Sequence, residues 1–105
     1  MRIYNITFIV EPSIEQRWAT YVDKELLPEL AKSVQQIDLL RVEFTDVMEN
    51  ISGTTFSMQF YCSESSHLVW VKEIGHQLLM QKLYRIFPKD WVAFASNLEF
   101  LKSYS

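Results

Sequence analysis

This chain of 105 residues has one cysteine, Cys62, two glycines, three prolines and two histidines. A single thiol cannot close an intramolecular disulfide, so a disulfide-built scaffold is excluded. So little Gly and Pro argues against disorder, collagen-like repeats and long linkers. Ten basic residues stand against thirteen acidic ones, a formal charge of −3, and no basic block occurs. A surface that tracks phosphates shows a Lys/Arg stripe; nucleic acid is therefore not an expected partner. Residues 6–10 form an apolar run far too short to span a bilayer. The start at Met1 lacks the charged region, apolar run and cleavage site of a signal peptide. The expectation is a cytoplasmic protein with no membrane contact, folded as one domain over 1–105. With 49% apolar and 14% aromatic residues, it can bury a core without metal or disulfide staples.

What the chain does have is a strong opening stretch. Arg2–Val10 is β-branched and aromatic, free of Gly and Pro, and ends at Glu11-Pro12. One parity carries Tyr4, Ile6, Phe8 and Val10; the other carries Ile3, Asn5, Thr7 and Ile9. The first face is wholly apolar and the second half apolar, which predicts a central strand covered on both sides. Two helices supply one cover. A second copy of the chain, or a ligand, must supply the other.

Ser13 and Gln16 then fit a capping box, and Ile14, Trp18, Tyr21, Val22 and Leu26 recur at helical spacing. Pro28 predicts a kink or restart near Leu27, since its ring crowds the preceding turn. From Ile37 the period is two. Residues 49–53 read as a turn with Gly53 carrying a positive φ, and 54–62 alternates cleanly, giving a β-hairpin. Ser63, Glu64, Ser65 and Ser66 offer caps for a helix over 67–87. Its inner stripe is Leu68, Val71, Gly75, Leu78, Leu79 and Ile86, and Gly75 there predicts close approach to the sheet. Trp70 and Ile74 lie off the stripe, a candidate flank for a partner. Residues 91–101 form the last strand.

The order β-α-β-β-α-β is the ferredoxin-like split arrangement, an α+β fold with a four-stranded antiparallel sheet and two helices on one face. Parity assigns Tyr4, Ile6, Phe8, Val10, Leu40, Val42, Phe44, Phe56, Met58, Phe60, Val92 and Phe94 to the helix side. The opposite face then carries Ile3, Asn5, Thr7, Ile9, Arg41, Glu43, Ser57, Gln59, Tyr61, Trp91, Ala93 and Ala95. That amphipathic surface suits an isologous sheet-to-sheet dimer, or the wall of a pocket between two sheets.

Arg2 to Thr7, Ile14 to Trp18, Leu27-Pro28-Glu29-Leu30, Phe56 to Tyr61 and Val92-Ala93-Phe94 together resemble a family of short uncharacterised proteins grouped as a domain of unknown function. The resemblance spans nearly the whole chain, and its pieces take their specificity from order and spacing. That family is similar to the dimeric α/β-barrel group of ferredoxin-like folds. The resemblance implies a ferredoxin-like protomer and a sheet-to-sheet dimer, and no reaction. Larger relatives in that fold group include cofactor-free monooxygenases, haem-degrading proteins and ligand-sensing modules, among which fold does not choose. In the family a His commonly stands two residues before the proline; here that position is Leu26.

Catalytic and metal-binding patterns are weak. His67 and His76 are nine residues apart, two and a half helical turns, and so face different ways; a two-His metal site is not expected. No basic residue activates Cys62, which reads as a small buried hydrophobe. Glu25 and Glu29 read as a solvated helix face. Neither a cofactor nor a catalytic set is expected. Asn5, Thr7, Arg41, Gln59, Tyr61, Trp91 and Ala93 remain as residues of the dimer face or of a pocket in it, with Trp91 as a stacking wall. The expected function is a non-catalytic homodimeric interaction or structural module. The alternative is a small-molecule-binding protein or cofactor-free enzyme whose pocket lies between the sheet and the partner subunit.

Overall fold

The computed structural model of the chain describes residues 1–44 and 53–104. Four strands, β1 (Arg2–Val10), β2 (Gln36–Val42), β3 (Thr54–Cys62) and β4 (Trp91–Glu99), form an antiparallel sheet in the order β2-β3-β1-β4. Between β1 and β2 run α1 (Glu15–Tyr21), a π turn (Val22–Leu26) and α2 (Leu27–Leu30). Between β3 and β4 run α3 (Ser65–Trp70), a second π turn (Val71–Gly75) and α4 (His76–Ile86). This is the ferredoxin-like arrangement, with β1 and β3 central.

Both helical arms obey one spacing. Ile14, Trp18, Val22, Leu26, Leu30 and Val34 are buried, and so are Val71, Gly75, Leu79, Leu83 and Phe87. Each series steps by four. Four residues overshoot the 3.6-residue α turn, so a uniform α-helix would carry such a series gradually off the core. The i→i+5 turn in each arm takes up the excess and keeps the row over the sheet. Pro28 falls in the first turn of α2, directly after the i→i+5 bond from Leu27 N–H to the Val22 carbonyl, and this wider turn takes its place in the helical path without a break. The restart at Leu27 is therefore smooth.

The expected capping box does not form. Helix α1 begins at Glu15, and Ile14 at its cap makes no side-chain bond. Backbone bonds from Ile14 N–H to the Glu11 carbonyl (3.1 Å) and from Trp18 N–H to the Ile14 carbonyl (2.8 Å) take over the entry. The inner stripe of the second arm also shifts. Leu83 and Phe87 are buried, whereas Ile86 is 48% exposed. Gly75 is covered not by the sheet but by the Trp70 indole, which would stand 2.7 Å from a Cβ placed there. Trp70 is thus half-buried against its own helix rather than free on a flank; Ile74 is exposed.

Of the expected turn, residues 49–52 lie outside the described ones. Gly53 has φ +94°, and a Cβ there would meet the Val10 carbonyl oxygen at 2.3 Å, so the position requires glycine on two counts.

The larger correction concerns the edge strands. On the central strands the expected parity holds: Tyr4, Ile6, Phe8, Val10, Phe56, Met58, Phe60 and Cys62 point to the helices and are buried. On β4 it is inverted. Val10 pairs with Trp91, Phe8 with Ala93 and Ile6 with Ala95, so these lie on the helix side. Val92, Phe94 and Leu98 lie on the open face. On β2, Phe60 pairs with Ile37, Met58 with Leu39 and Phe56 with Arg41, so Leu40 and Val42 take the open face. Trp91 is locked into the core: its indole N–H donates to the Phe87 carbonyl at 2.6 Å and its ring packs on Tyr84, centroids 4.5 Å apart. Arg41 lies over the Phe56 ring and pairs with Glu15 at 3.8 Å. Arg41, Trp91 and Ala93 therefore leave the candidate face.

Candidate functional site

The open face of the sheet is built from the odd residues of β1 and β3 and the even residues of β2 and β4. Four of the expected site residues stay together on it. Asn5 lies opposite Gln59, Thr7 opposite Ser57 and Ile3 opposite Tyr61. Pairing in this register fixes the neighbours; the side chains then choose their bonds.

They choose one direction. The Tyr61 hydroxyl donates to Gln59 Oε1 (3.3 Å) and Gln59 Nε2 to Ser57 Oγ (3.4 Å). Ser57 Oγ then donates to Asn5 Oδ1, and Asn5 Nδ2 to Thr7 Oγ1 (3.0 Å). Four bonds run head to tail across the two central strands, an order in which each bond polarises the next. Asn5 is only 8% exposed although no helix covers it. Burial raises the Tyr61 phenol above its ordinary pKa, and the Asp38 carboxylate alongside adds to the effect. The phenol is thus held as a donor at neutral pH.

Apolar side chains flank this ladder. Leu40 (44% exposed) and Val42 stand on β2; Val92 (57%), Phe94 (57%) and Leu98 (42%) stand on β4. Gln36 and Asp38 on β2 and Ser96 on β4 are polar, and Ile3 and Ile9 on β1 are apolar, so Leu40, Val42, Val92 and Phe94 gather toward one end of the strands. Ser57 and these edge residues were not among the expected site residues. The ladder's directionality depends on side-chain bonds no spacing shows, but the edge residues were visible as apolar parity assigned to the wrong face.

Elsewhere, several titratable groups are held within the fold. Tyr4 donates its hydroxyl to His76 Nδ1 at 3.0 Å, and burial holds His76 below the ordinary imidazole pKa, so the ring is neutral and can accept. Cys62 is buried and its thiol is pushed up by that burial, a setting for an inert thiol. Glu29 is held by Lys82 at 2.5 Å across the two helical arms. A hollow of about 410 Å³ opens between the start of β1 and the start of α3, with Arg2, Glu64 and Leu68 in its wall. Among the described residues no three His, Cys, Asp or Glu side chains come together, and no helix is long and apolar enough to cross a membrane.

Comparison with known proteins agrees with this architecture. A family model described as "Domain of unknown function (DUF4286)" matches residues 1–101. No curated protein matches the chain. Among solved structures, a dimeric ferredoxin-like protein from an uncultured marine organism superposes with a TM-score of 0.64 at 10% identity, covering 100% of this chain and 99% of that one. A second such protein, also from an uncultured marine organism, gives 0.58 at 8% identity, with 98% and 96% covered. A protein of the ethyl tert-butyl ether d (ethd) family from Bacillus halodurans gives 0.62 at 12% identity, with 96% and 100% covered. At such identities the likeness is one of fold.

Proposed function

We propose that this chain, which belongs to the DUF4286 family, works as a homodimeric interaction module whose two sheets pack face to face. The observation that carries the reading is the common level at which the two edge strands carry their apolar side chains. A two-fold axis between facing sheets runs either along the strands, setting β2 over the second copy's β4, or across them, setting β2 over β2. Through Ser57 and Thr7, Leu40 stands level with Phe94, and through Thr55 and Ile9, Val42 stands level with Val92, so the axis along the strands lays apolar on apolar at both edges, whereas the axis across them would set Asp38 over Leu40. Such self-complementarity is what an isologous interface requires.

The size suits it as well. Four strands about 4.8 Å apart and nine residues at about 3.3 Å each define a plane of about 500 Å². The accessible area of its uneven side-chain surface is larger, near the ~800 Å² that a standard interface takes from each partner. Two of the solved structures that share the fold are themselves described as dimeric, which supports the reading without carrying it. Light scattering after size exclusion, across a dilution series, tests it: the expected mass is twice that of the 12.5 kDa chain down to micromolar concentration. A monomer mass throughout would end the proposal.

A further inference from the structure

We infer that the outer edge of β2 takes an extended segment of a protein partner as a fifth strand, with an apolar side chain of that segment in the groove beside Leu39 and a basic one next to Asp38. The site belongs to a single protomer and lies outside the face proposed for the dimer.

The groove comes from the first helical arm. One residue round from the buried row of Trp18, Val22 and Leu26 stands a second row with the same step: Ala19, Asp23 and Leu27. Between this row and Leu39 of β2 the surface opens into a groove of about 510 Å³, with Thr20 and Lys24 also in its wall. Ala19, Leu27 and Leu39 are half-buried and pack against the core, so the groove has an apolar side to offer.

The backbone decides what shape of ligand fits there. β3 pairs with one side of β2, and among the described residues no strand lies on the other. In an antiparallel pair every second residue turns both its N–H and its C=O away from the partner strand. A further strand satisfies such an edge; a helix, whose backbone groups are bonded within it, does not. An added strand lies about 4.8 Å beyond β2, and its residue level with Leu39 points to the helix side, as Leu39 does, and so into the groove. Main-chain bonds then supply affinity, and the pocket for an alternate side chain supplies selection.

The neighbouring side chains of β2 narrow the partner's sequence. Asp38 points to the open face, where its carboxylate accepts from Gln36 Nε2 at 3.2 and 3.3 Å and forms no ion pair among the described residues. A lysine or arginine level with it makes the cross-strand pair of opposite charge that a sheet favours. Leu40, 44% exposed on the same face, suits an apolar neighbour. Antiparallel addition continues the pattern of the sheet and is the more stable per residue. Along the partner the segment therefore reads apolar, apolar, basic, level with Leu40, Leu39 and Asp38.

The probe is the peptide Thr-Thr-Val-Leu-Lys-Thr-Thr-amide with fluorescein at its N-terminus. Binding to the full chain is read by anisotropy, hydrogen exchange of the β2 amides by NMR, and mass by light scattering on the same samples. The expected result is saturable binding that slows exchange at alternate residues of β2 and weakens at least about tenfold when aspartate replaces the peptide's leucine. Glutamate in place of its lysine should weaken binding about fivefold, and Asp38→Asn should erase that difference. No binding at millimolar peptide, unchanged exchange in β2, equal binding of the aspartate peptide, or a lysine preference that survives Asp38→Asn overturns the proposal. A mass above two chains that the peptide reverses gives the edge to further copies of this chain and overturns it as well. A monomer mass with the peptide bound ends the dimer and leaves this site standing.

Discussion

Phe94 offers the sharpest perturbation of the proposed interface. In the protomer it is 57% exposed, on the open face opposite Thr7. An aromatic side chain presents on the order of 200 Å², so coverage by a second copy would remove about 110 Å² of apolar surface from water. At about 25 cal/mol per Å² that is about 3 kcal/mol. A two-fold interface contains the residue twice, giving about 6 kcal/mol. Phe94→Asp removes this and adds two carboxylates to a face without cations, so the dimer should weaken at least on the order of 10⁴-fold. The protomer itself should stay folded, since the residue already faces outward. Ile74→Asp is the matched control: Ile74 is 55% exposed but on the helical layer, and its substitution should leave association unchanged. Sedimentation equilibrium on the three proteins reads the result. Phe94→Asp dimerising within tenfold of the parent, or Ile74→Asp dissociating equally, would refute the argument.

The remaining predictions concern the protomer. Gly53→Ala forces a side chain into φ +94° and onto the Val10 carbonyl; the left-handed conformation alone costs about 1–2 kcal/mol, so Tm should drop on the order of 10 °C, and a drop under about 2 °C in a thermal melt would show that the turn relaxes freely. Burial lowers the pKa of His76 in the fold, so the unfolded chain binds more protons as the pH falls below its own value near ~6.5. The stability His76 contributes is therefore full above ~6.5 and lost on acidification through the folded pKa. Denaturant unfolding at pH 8 and pH 5 should show the difference shrinking in His76→Gln, and an unchanged difference would contradict it. Trp18 is fully buried between Phe8 and Phe56, yet its indole N–H has no partner among the described residues. Trp18→Ala should cost about 3–5 kcal/mol, whereas Trp18→Phe, by removing an orphan donor worth about 1–3 kcal/mol, should cost under about 1.5 kcal/mol in urea unfolding.

The order of elements and the parity of both central strands were legible because Tyr4, Ile6, Phe8 and Phe56, Met58, Phe60 face a core that only apolar side chains can fill. The edge strands defeated the same rule, and the reason is informative. Parity assigns the bulkier apolar side chains to the helices, which on β4 selects Val92 and Phe94 over Ala93 and Ala95. But β4 receives little helical cover beyond Trp91: Ala95 and Asn97 are exposed even on the helix side. Trp91 alone, wedged against Phe8, Tyr84 and the Phe87 carbonyl, decides which way the strand turns. On β2 the choice falls to Ile37 and Leu39, half-buried opposite Phe60 and Met58, while Arg41 spends its charge on Glu15. Leu40, Val42, Val92 and Phe94 are left outward, where a solvated edge would carry Lys, Thr or Glu. Hydrophobic weight on the wrong face of one edge strand is an accident of sequence. The same displacement on both edges, flanking a polar centre bonded in one direction, has a physical purpose only if that face is covered. The parity that misreads the core is what the proposed interface would imprint on the sequence.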